Sequence, residues 1–190
     1  MNEGDRCGWC KSDPLYVRYH DEEWGVPERD PVALFERLTL EGMQAGLSWW
    51  TVLQKRAHMR ERFFEFDPEK LARFGARRMN NWLNDAGLIR HRGKLEAMVS
   101  NARLYLEEED FSALIWGAVE GEPLVNRWQR LSDVPAHTLA AQRLAKQMKK
   151  AGYRFVGPTT IYAFMQSAGL VNDHLVTCPW HQRCVELGDA

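Results

Sequence analysis

The stretch Leu40-Glu41-Gly42-Met43-Gln44-Ala45-Gly46-Leu47-Ser48-Trp49-Trp50 joins two predicted helices, and the rest of the chain is organised around it. Asp30-Pro31 is typical of a helix start, and apolar residues follow it at helical spacing, which predicts a helix that ends at Glu41. Ser48 is a suitable cap for the next helix. Glu41 then stands beside Gly42 at a helix C-terminus, where the helix dipole disfavours an acid. This placement next to aromatic residues makes Glu41 a candidate functional residue, although many such residues simply face solvent.

The composition is that of one globular domain. The chain has 190 residues, 45% of them hydrophobic and 27% charged, so we expect a single domain over residues 1–190, present as a monomer. No apolar run approaches the ~20 residues that a membrane helix needs, which argues against a membrane partner. Residues 1–5 lack the basic and apolar regions of a signal peptide, and we therefore expect a cytoplasmic protein.

Charge is unevenly distributed, although the net charge is only −1. Residues 138–172 contain no Asp or Glu, and five basic residues fall among them: Arg143, Lys146, Lys149, Lys150 and Arg154. Acidic residues collect at 21–23 and 107–110. One basic face suits a polyanion held on one side, whereas an ordinary solvated helix face fits the same charges equally well. The eight tryptophans are more than a core requires and favour a pocket for flat rings.

Helical patterns dominate the chain and alternating strand patterns are scarce, so we predict an all-α fold. N-cap residues, prolines at first helical positions and glycine stops bound the helices. Besides 30–41 and 48–64, they are predicted at 67–74, 77–86, 93–106, 111–119, 138–151 and 158–168. Gly87 is predicted to be a left-handed stop. The aromatic segment before residue 30 is expected to be mostly loop with a short helix.

Two helix junctions, 86–94 and 152–160, have the same form. In each, a helix ends at glycine, a short apolar and basic hairpin follows, and a second helix begins near another glycine. Such a junction lets backbone N–H groups approach a phosphate at a positive helix N-terminus, as in a helix-hairpin-helix DNA clamp. Short glycine loops are common in helical bundles, but the second junction lies in the acid-free stretch. It makes Arg154 and Gly157 candidate DNA contacts, with Lys146 and Lys150 attracting the duplex.

Four cysteines and six histidines suggest metal binding rather than disulfides in a reducing compartment. His174 and Cys178 are four residues apart, on one face if that segment is helical. With Cys7 and His20 they would form a tetrahedral Cys2His2 zinc site that joins the two chain ends. Spacing leaves two other sets open, each built on Cys7 and Cys10: one adds His181 and Cys184, the other Cys178 and His181. Buried thiols and surface histidines without a metal fit the spacing as well.

Several motifs, taken together, resemble the 3-methyladenine DNA glycosylase I family and occur in matching order over roughly residues 5 to 178. These motifs are Cys7-Gly8-Trp9, Asp13-Pro14-Leu15-Tyr16, Tyr19-His20-Asp21, Glu23-Trp24-Gly25-Val26-Pro27, 40–49, 86–94 and Asn172-Asp173-His174. The resemblance implies the all-α fold of the helix-hairpin-helix glycosylase superfamily and a structural zinc. It also selects one ligand set among the alternatives, namely Cys7, His20, His174 and Cys178.

The resemblance further implies a pocket for an extruded base. Glu41 and Tyr19 would hydrogen-bond the base and Trp49 would stack on it, while the remainder would be lined by Trp9, Tyr16 and Trp24. The chemistry agrees, because N3-methylation gives adenine a positive charge and weakens its bond to the sugar. A carboxylate among aromatic faces selects such a cationic ring over neutral adenine. We therefore expect a DNA repair glycosylase that acts on double-stranded DNA carrying alkylated bases and binds free 3-methyladenine as product.

The reaction is predicted to stop at an abasic site. Lyases of the superfamily need a lysine at the start of the post-hairpin helix, where this chain has Pro158-Thr159-Thr160, so no Schiff base is expected. Most members use an Asp shortly after the hairpin, and by a rough register Asn172 takes that position, with Asp173 next to it. Gly46-Leu47 is the candidate element that fills the gap left by the flipped base, the alternative being that Leu47 packs in the core.

Two other classes of function compete with this one. A zinc-stabilised nucleic-acid-binding module without catalysis would share the basic face and the hairpins, but it would have no reason to cluster Glu41, Tyr19 and Trp49. A lyase-type endonuclease of the same superfamily is opposed by the missing lysine. Identification of the bases released from methylated DNA would separate all three.

Overall fold

Helices form most of the computed structural model, which describes residues 6–10, 12–75 and 78–189. The α-helices in these ranges are α1 (Pro14–Glu22), α2 (Pro31–Gln44), α3 (Trp49–Arg62), α4 (Pro68–Ala72), α5 (Met79–Leu83), α6 (Arg92–Glu107), α7 (Phe111–Trp116), α8 (Leu139–Lys150), α9 (Pro158–Ser167) and α10 (Pro179–Gly188). Short 3-10 helices occupy Phe64–Phe66, Gly117–Val119 and Leu131–Asp133. The expected helical fold is confirmed. Arg77, predicted to open a helix, and the segment 1–5 lie outside the described residues.

The starts of α2 and α3 follow the capping residues in the sequence. The Asp30 carboxylate accepts a hydrogen bond from the Ala33 N–H (2.8 Å), and the Ser48 hydroxyl accepts one from the Thr51 N–H (3.2 Å). Each bond satisfies a backbone donor that a helix leaves free at its N-terminus, a contribution of about 1 kcal/mol. These two caps therefore fix the positions of the helices on either side of the central loop.

Helix α2 continues three residues past its predicted end, to Gln44. Gly42, which was expected to end the helix, lies inside it, and a Cβ atom there would be 3.4 Å from the Cβ of Phe155. The glycine therefore does not end the helix, and α2 packs against the hairpin at 152–157 at ordinary van der Waals distance. Glu41 consequently stands in the last turn of α2, buried, and not at its final residue.

The prediction for Gly87 is also wrong, because this residue does not have a positive φ. A Cβ atom at Gly87 would lie 2.4 Å from the His58 ring, so close packing explains the glycine. By contrast, Gly152 (φ +101°) and Gly169 (φ +71°) are left-handed and end α8 and α9 as predicted. Helix α10 was not predicted, and residues 174–178 form turns rather than a helix.

A short parallel pair of strands departs from a purely helical fold. Strand β1 (Leu124–Val125) pairs with β2 (Val171–Asn172), so that Leu124 lies opposite Val171. Two-residue strands carry no alternating pattern, which is why periodicity could not reveal them. Because β2 directly precedes Asp173, the pairing fixes the backbone where the C-terminal functional candidates begin.

The core lies between α2, α6, α8 and α9. Helix α2 packs against α3, α6 and α9, α8 pairs with α9, and α4 lies along α6. Fully buried side chains such as Phe35, Leu95 and Phe164 fill the space between the helices. Within the described ranges, no helix has the length and apolar character needed to cross a membrane. This packing brings α1, the end of α2, the start of α3 and α9 together around one cavity.

Candidate functional site

A cavity of about 490 Å³ opens between these four helices. Every side chain that the sequence analysis assigned to a pocket lines it: Trp9, Tyr16, Tyr19, Trp24, Glu41 and Trp49. The volume lies in the range of small-molecule sites, about 300–1,000 Å³. These six residues form one wall of the cavity. Aromatic rings around a single buried glutamate are suited to binding a flat ring.

Glu41 is only 4% exposed, and this burial governs its protonation. Loss of hydration raises the pKa of Glu41 to about 8, and a hydrogen bond with Ser167 offsets part of the rise. Tyr19 is also buried, and its burial, followed by the nearby Glu41 charge, raises the pKa of its phenol. The cavity therefore combines a neutral phenol, which can donate a hydrogen bond, with an acid that a cationic ligand would ionise.

Aromatic rings continue the wall on either side of these two groups. The ring centroid of Trp49 lies 5.0 Å from that of Tyr19, and those of Trp9 and Trp24 are 4.9 Å apart. Tyr16 stacks on Trp50 at 5.4 Å with ring planes 24° apart. Because the rings pack on one another, the wall keeps its shape without a ligand.

The opposite wall of the cavity was not predicted. Its residues are Gln44, four residues of the 131–136 segment, and Thr159, Tyr162, Ala163 and Gln166 of α9, with Asp173 below them. Thr159, Ala163 and Gln166 are spaced i, i+4 and i+7, which puts them on one helix face. That spacing of small and polar residues could have predicted that this face of α9 lines a cavity. Nothing in the local sequence of 131–136 indicates a cavity wall.

Asp173 is a second buried carboxylate at the cavity, with 1% of its surface exposed. Its Oδ1 accepts hydrogen bonds from Asn126 Nδ2 (2.7 Å) and Trp128 Nε1 (2.8 Å). Its Oδ2 accepts hydrogen bonds from Gln166 Nε2 (2.8 Å) and from the Tyr162 hydroxyl. Four donors satisfy the charge and tie α9 to the segment after β1.

Asn172, which the rough register placed at the position of the superfamily Asp, does not line the cavity. Its side-chain N–H donates to the His181 carbonyl (2.9 Å), and its Oδ1 accepts from the His174 N–H (3.3 Å). Asp173 therefore lines the cavity, whereas the Asn172 side chain hydrogen-bonds the backbone behind it.

The two ends of the chain meet at a buried cluster of Cys7, His20, His174 and Cys178, whose ligand atoms all lie within 4.8 Å of one another. The Sγ atoms of Cys7 and Cys178 are each 3.6 Å from Nδ1 of His174, and Cys178 Sγ is 3.7 Å from His20 Nε2. Metal–ligand bonds at a tetrahedral zinc place sulfur and nitrogen about 3.6 Å apart. The four side chains therefore have the spacing of a metal site.

The outer nitrogens of both imidazoles are also bonded. His20 Nδ1 lies 2.7 Å from an Asp21 carboxylate oxygen, and His174 Nε2 lies 2.9 Å from the Trp24 carbonyl oxygen. Bonds of this kind fix which ring nitrogen faces a metal. The hydrogen bond with Cys7, together with those from the two histidines, lowers the pKa of Cys178 and favours the thiolate that binds metals.

The alternative ligand sets are not assembled in the part of the chain that the structure describes. Cys10 and Cys184 are buried but lie outside the cluster. The Nε2 atom of His181 lies 2.7 Å from the Asn126 carbonyl oxygen instead. Trp24 connects the cluster to the cavity, because its carbonyl bonds His174 while its ring lines the cavity.

The loop between α2 and α3 presents an apolar side chain to solvent. Leu47 is 39% exposed, so the alternative that placed it in the core is wrong. Gly46 has a φ of +77°, a conformation that favours glycine. The Gln44 side chain donates to the Leu47 carbonyl at 2.9 Å, and the Leu47 N–H donates to the Gln44 carbonyl at 2.7 Å. These bonds hold the loop in one shape.

The other predicted DNA contacts occupy the second hairpin and α8. Arg154 is exposed in the hairpin, and Gly157 is the N-cap of α9. Lys146 and Lys150 are exposed on α8, and neither forms an ion pair with another described residue. The acidic run at 107–110 is closer to this region than expected, since Glu108 lies within hydrogen-bonding distance (3.4 Å) of the Tyr153 hydroxyl.

Comparisons with known proteins agree with one another. The methyladenine glycosylase family matches residues 9–182. DNA-3-methyladenine glycosylase 1 of Escherichia coli (strain K12) is 50% identical over 178 residues, which cover 92% of this chain and 95% of that protein. A crystal structure of 3-methyladenine DNA glycosylase I superposes with a TM-score of 0.90 at 48% identity and covers 92% of this chain and 98% of the other. A Staphylococcus aureus structure, described as the structural basis of 3-methyladenine recognition by this enzyme, gives 0.88 at 38% identity, with coverages of 92% and 95%.

Proposed function

The chain belongs to the methyladenine glycosylase family and is a glycosylase that hydrolyses N-glycosidic bonds. We propose that it excises 3-methyladenine from alkylated double-stranded DNA. The damaged nucleotide flips into the 490 Å³ cavity, the base is gripped there, and its bond to the sugar is hydrolysed. The observation that carries the proposal is the buried Glu41 carboxyl among aromatic faces.

Glu41 recognises the charge of the methylated base. In the free protein, burial holds the pKa of Glu41 near 8, because the hydrogen bond with Ser167 offsets only part of the lost hydration. A cationic base next to it supplies the opposite charge, and the carboxylate accepts hydrogen bonds from the exocyclic amine. A charge-assisted bond to a buried partner contributes about 1.5–3 kcal/mol. The cationic base gains in addition the attraction of opposite charges, which neutral adenine lacks. Tyr19 donates a second hydrogen bond to the ring.

Trp49 stacks on the bound base, and Trp9, Tyr16 and Trp24 enclose it. Stacking of a base on an aromatic side chain contributes about 1–3 kcal/mol, and a cationic ring gains further from the electron-rich faces. The preformed packing of these rings supports this role, because little ordering is needed when the base enters.

The DNA is held outside the cavity. Gly46-Leu47 enters the gap left by the flipped nucleotide, as suits an exposed apolar residue on a fixed loop. Backbone N–H groups between Arg154 and Gly157 bind a phosphate, while Lys146 and Lys150 attract the duplex over a longer range.

The reaction needs modest catalytic power. Water attacks C1′ of the sugar, the electron pair of the N-glycosidic bond passes to N9 of the cationic base, and 3-methyladenine leaves uncharged while the water loses a proton. The products are the free base and an abasic site. The described cavity-lining residues include no lysine, in keeping with hydrolysis rather than Schiff-base chemistry.

Zinc is the metal that the cluster of Cys7, His20, His174 and Cys178 would hold. Two thiolates and two imidazoles in a closed tetrahedral set are typical of structural zinc. Bound there, zinc would supply a rigid cross-link and no chemistry. His174 of this cluster bonds the Trp24 carbonyl and thereby positions one residue of the cavity wall.

Incubation of the protein with methylated duplex DNA, followed by chromatography of the released bases, tests the proposal. We expect 3-methyladenine in solution and strands that break only after alkali treatment. Absence of a released base would leave a binding module without catalysis. Strand cleavage without alkali would instead indicate a lyase.

A further inference from the structure

Helix α6 supports both segments that are proposed to touch DNA. We call residues 45–48 the wedge loop and residues 152–157 the hairpin. Two polar side chains of α6, Lys94 and Asn101, are buried, each 6% exposed. Their side chains hydrogen-bond the backbone of the last turn of α2, the wedge loop and the hairpin. They are seven residues apart, which is about 10 Å along a helix and places them on one face.

Lys94 holds the chain where α2 gives way to the wedge loop. Its Nζ donates to the carbonyl of Met43 (2.8 Å) and to that of Ala45 (2.6 Å). Carbonyls at a helix C-terminus lack partners within the helix, and a cation there is favoured by the helix dipole. Ala45 directly precedes Gly46-Leu47, so Lys94 fixes the base of the loop that carries the exposed leucine.

Asn101 holds the hairpin by its backbone. Its Nδ2 donates to the Arg154 carbonyl (3.0 Å), and its Oδ1 accepts from the Arg154 N–H (2.9 Å). The next residue, Phe155, has a φ of +57°, which non-glycine residues rarely adopt. Such a conformation persists where its surroundings fix it, and the paired bonds of Asn101 are immediately adjacent.

The two supported segments also touch through α2. A Cβ atom at Gly42 would lie 3.4 Å from Phe155 Cβ, and the His91 ring at the start of α6 is 6.1 Å from the Phe155 ring, edge to face. The wedge loop, the hairpin and α6 therefore form one packed unit, and α6 sets the separation of the other two.

We propose that Lys94 and Asn101 are positioning residues that hold the wedge loop and the hairpin at the separation needed to engage one duplex, the first in the gap and the second on a phosphate. This inference rests on the proposed function, because it assumes that both segments contact DNA. Neither side chain lines the cavity, so neither is expected to affect binding of the free base.

Three binding measurements on purified protein test the proposal. The probes are free 3-methyladenine, an intact duplex, and the same duplex with a tetrahydrofuran abasic analogue that leaves a gap. The variants are Lys94→Met and Asn101→Leu, which remove the hydrogen bonds at similar size. Ser100→Ala is the matched control, since the Ser100 hydroxyl bonds only the Ala97 carbonyl of its own helix.

The two variants should differ in a specific way. Lys94→Met should lose about tenfold in affinity for the gapped duplex and little for the intact one, because the loop that fills the gap is displaced. Asn101→Leu should weaken binding to both duplexes by a similar factor. Because Arg154 is also released, the slope of log K against log salt should become shallower by up to about one, as expected when one basic side chain no longer neutralises a phosphate. The affinity of both variants for 3-methyladenine should stay within about twofold of wild type, as should every affinity of Ser100→Ala.

Unchanged duplex binding in both variants would overturn the inference, and so would a loss of free-base affinity as large as the loss of duplex affinity. If Lys94→Met or Asn101→Leu fails to fold, Lys94→Arg and Asn101→Ser replace them. Lys94→Arg keeps the charge and should retain most of the preference for the gapped duplex, whereas the uncharged Asn101→Ser is too short to make both bonds to Arg154 and should show the reduced salt slope. A wild-type protein that bound neither 3-methyladenine nor DNA would instead refute the proposed function, and the inference with it.

Discussion

Replacement of Glu41 by glutamine should have opposite effects on stability and on base binding. The folded protein holds the pKa of Glu41 near 8, above its ordinary value of 4.5, because burial strips the carboxylate of water. The folded state therefore prefers the protonated acid. Its destabilisation by the carboxylate grows as the pH rises from 4.5 to about 8 and is complete above that.

The size of this effect follows from the displacement of the pKa. A change from 4.5 to about 8 corresponds to at most about 5 kcal/mol, which Glu41→Gln would recover at pH 9. At pH 5 the acid is protonated in the folded state and only partly ionised in the unfolded state, so the gain should be below about 1 kcal/mol. Chemical denaturation of both proteins at the two pH values measures the difference.

Base binding should change in the other direction. Glutamine keeps the shape of Glu41 but removes the charge, so free 3-methyladenine should bind on the order of tenfold or more weakly, as measured by titration of tryptophan fluorescence. Equal affinity for the two proteins, or a stability gain that does not depend on pH, would refute this account of Glu41.

Glu36 offers a matched control on the same helix. It is 5% exposed but forms ion pairs with Arg56 (2.9 Å) and Arg60 (2.8 Å), and it does not line the base cavity. Glu36→Gln should therefore lower the free energy of unfolding, because the part-buried Arg56 loses one of its carboxylate partners. The same substitution should leave base affinity unchanged.

Three further predictions concern the metal, the DNA face and the backbone. Cys178→Ser should lower both the zinc content measured by atomic emission and the melting temperature, whereas Cys10→Ser should keep the zinc. Loss of zinc from Cys10→Ser, with zinc retained in Cys178→Ser, would show that the ligand assignment is wrong. Joint replacement of Lys146 and Lys150 by glutamine should weaken binding to all DNA sequences alike and flatten its salt dependence, and an unchanged slope would place the DNA face elsewhere. Gly169→Ala should strongly destabilise the fold in denaturation experiments, because φ is +71° and the added Cβ would lie 2.4 Å from backbone atoms of residues 26 and 27; a wild-type midpoint would contradict this packing.

Local rules accounted well for the helix starts and poorly for some of the glycines. Asp30 and Ser48 cap the helices that they were expected to cap, because a cap depends on residues within one turn. Gly42 and Gly87 were interpreted as marking helix ends, but Gly42 lies inside α2 against Phe155, and Gly87 packs closely against His58. Those contacts join residues far apart in the chain, so no local pattern could reveal them.

One wall of the cavity was predicted from the sequence and the other was not, again because the second depends on contacts between distant parts of the chain. The wall around Glu41 was expected from motif resemblance, and its six residues do meet at one cavity. The opposite wall depends on how 131–136 and α9 pack, and Asp173 reaches it through a two-residue strand pair that periodicity cannot detect. The single domain over 1–190, the monomeric state and the cytoplasmic location stay predictions.

The meeting of the chain ends at Cys7, His20, His174 and Cys178 determines when the cavity can form during synthesis. His20 follows Tyr19 and His174 follows Asp173, so residues that line the cavity are adjacent in sequence to both halves of the cluster. A ribosome adds about 5–20 residues per second, so the first half waits about 8–30 s for the second. A nascent chain that stops before residue 173 lacks Asp173 of the cavity lining together with half of the cluster. The complete cavity and the complete cluster can therefore form only after residue 178 has been made.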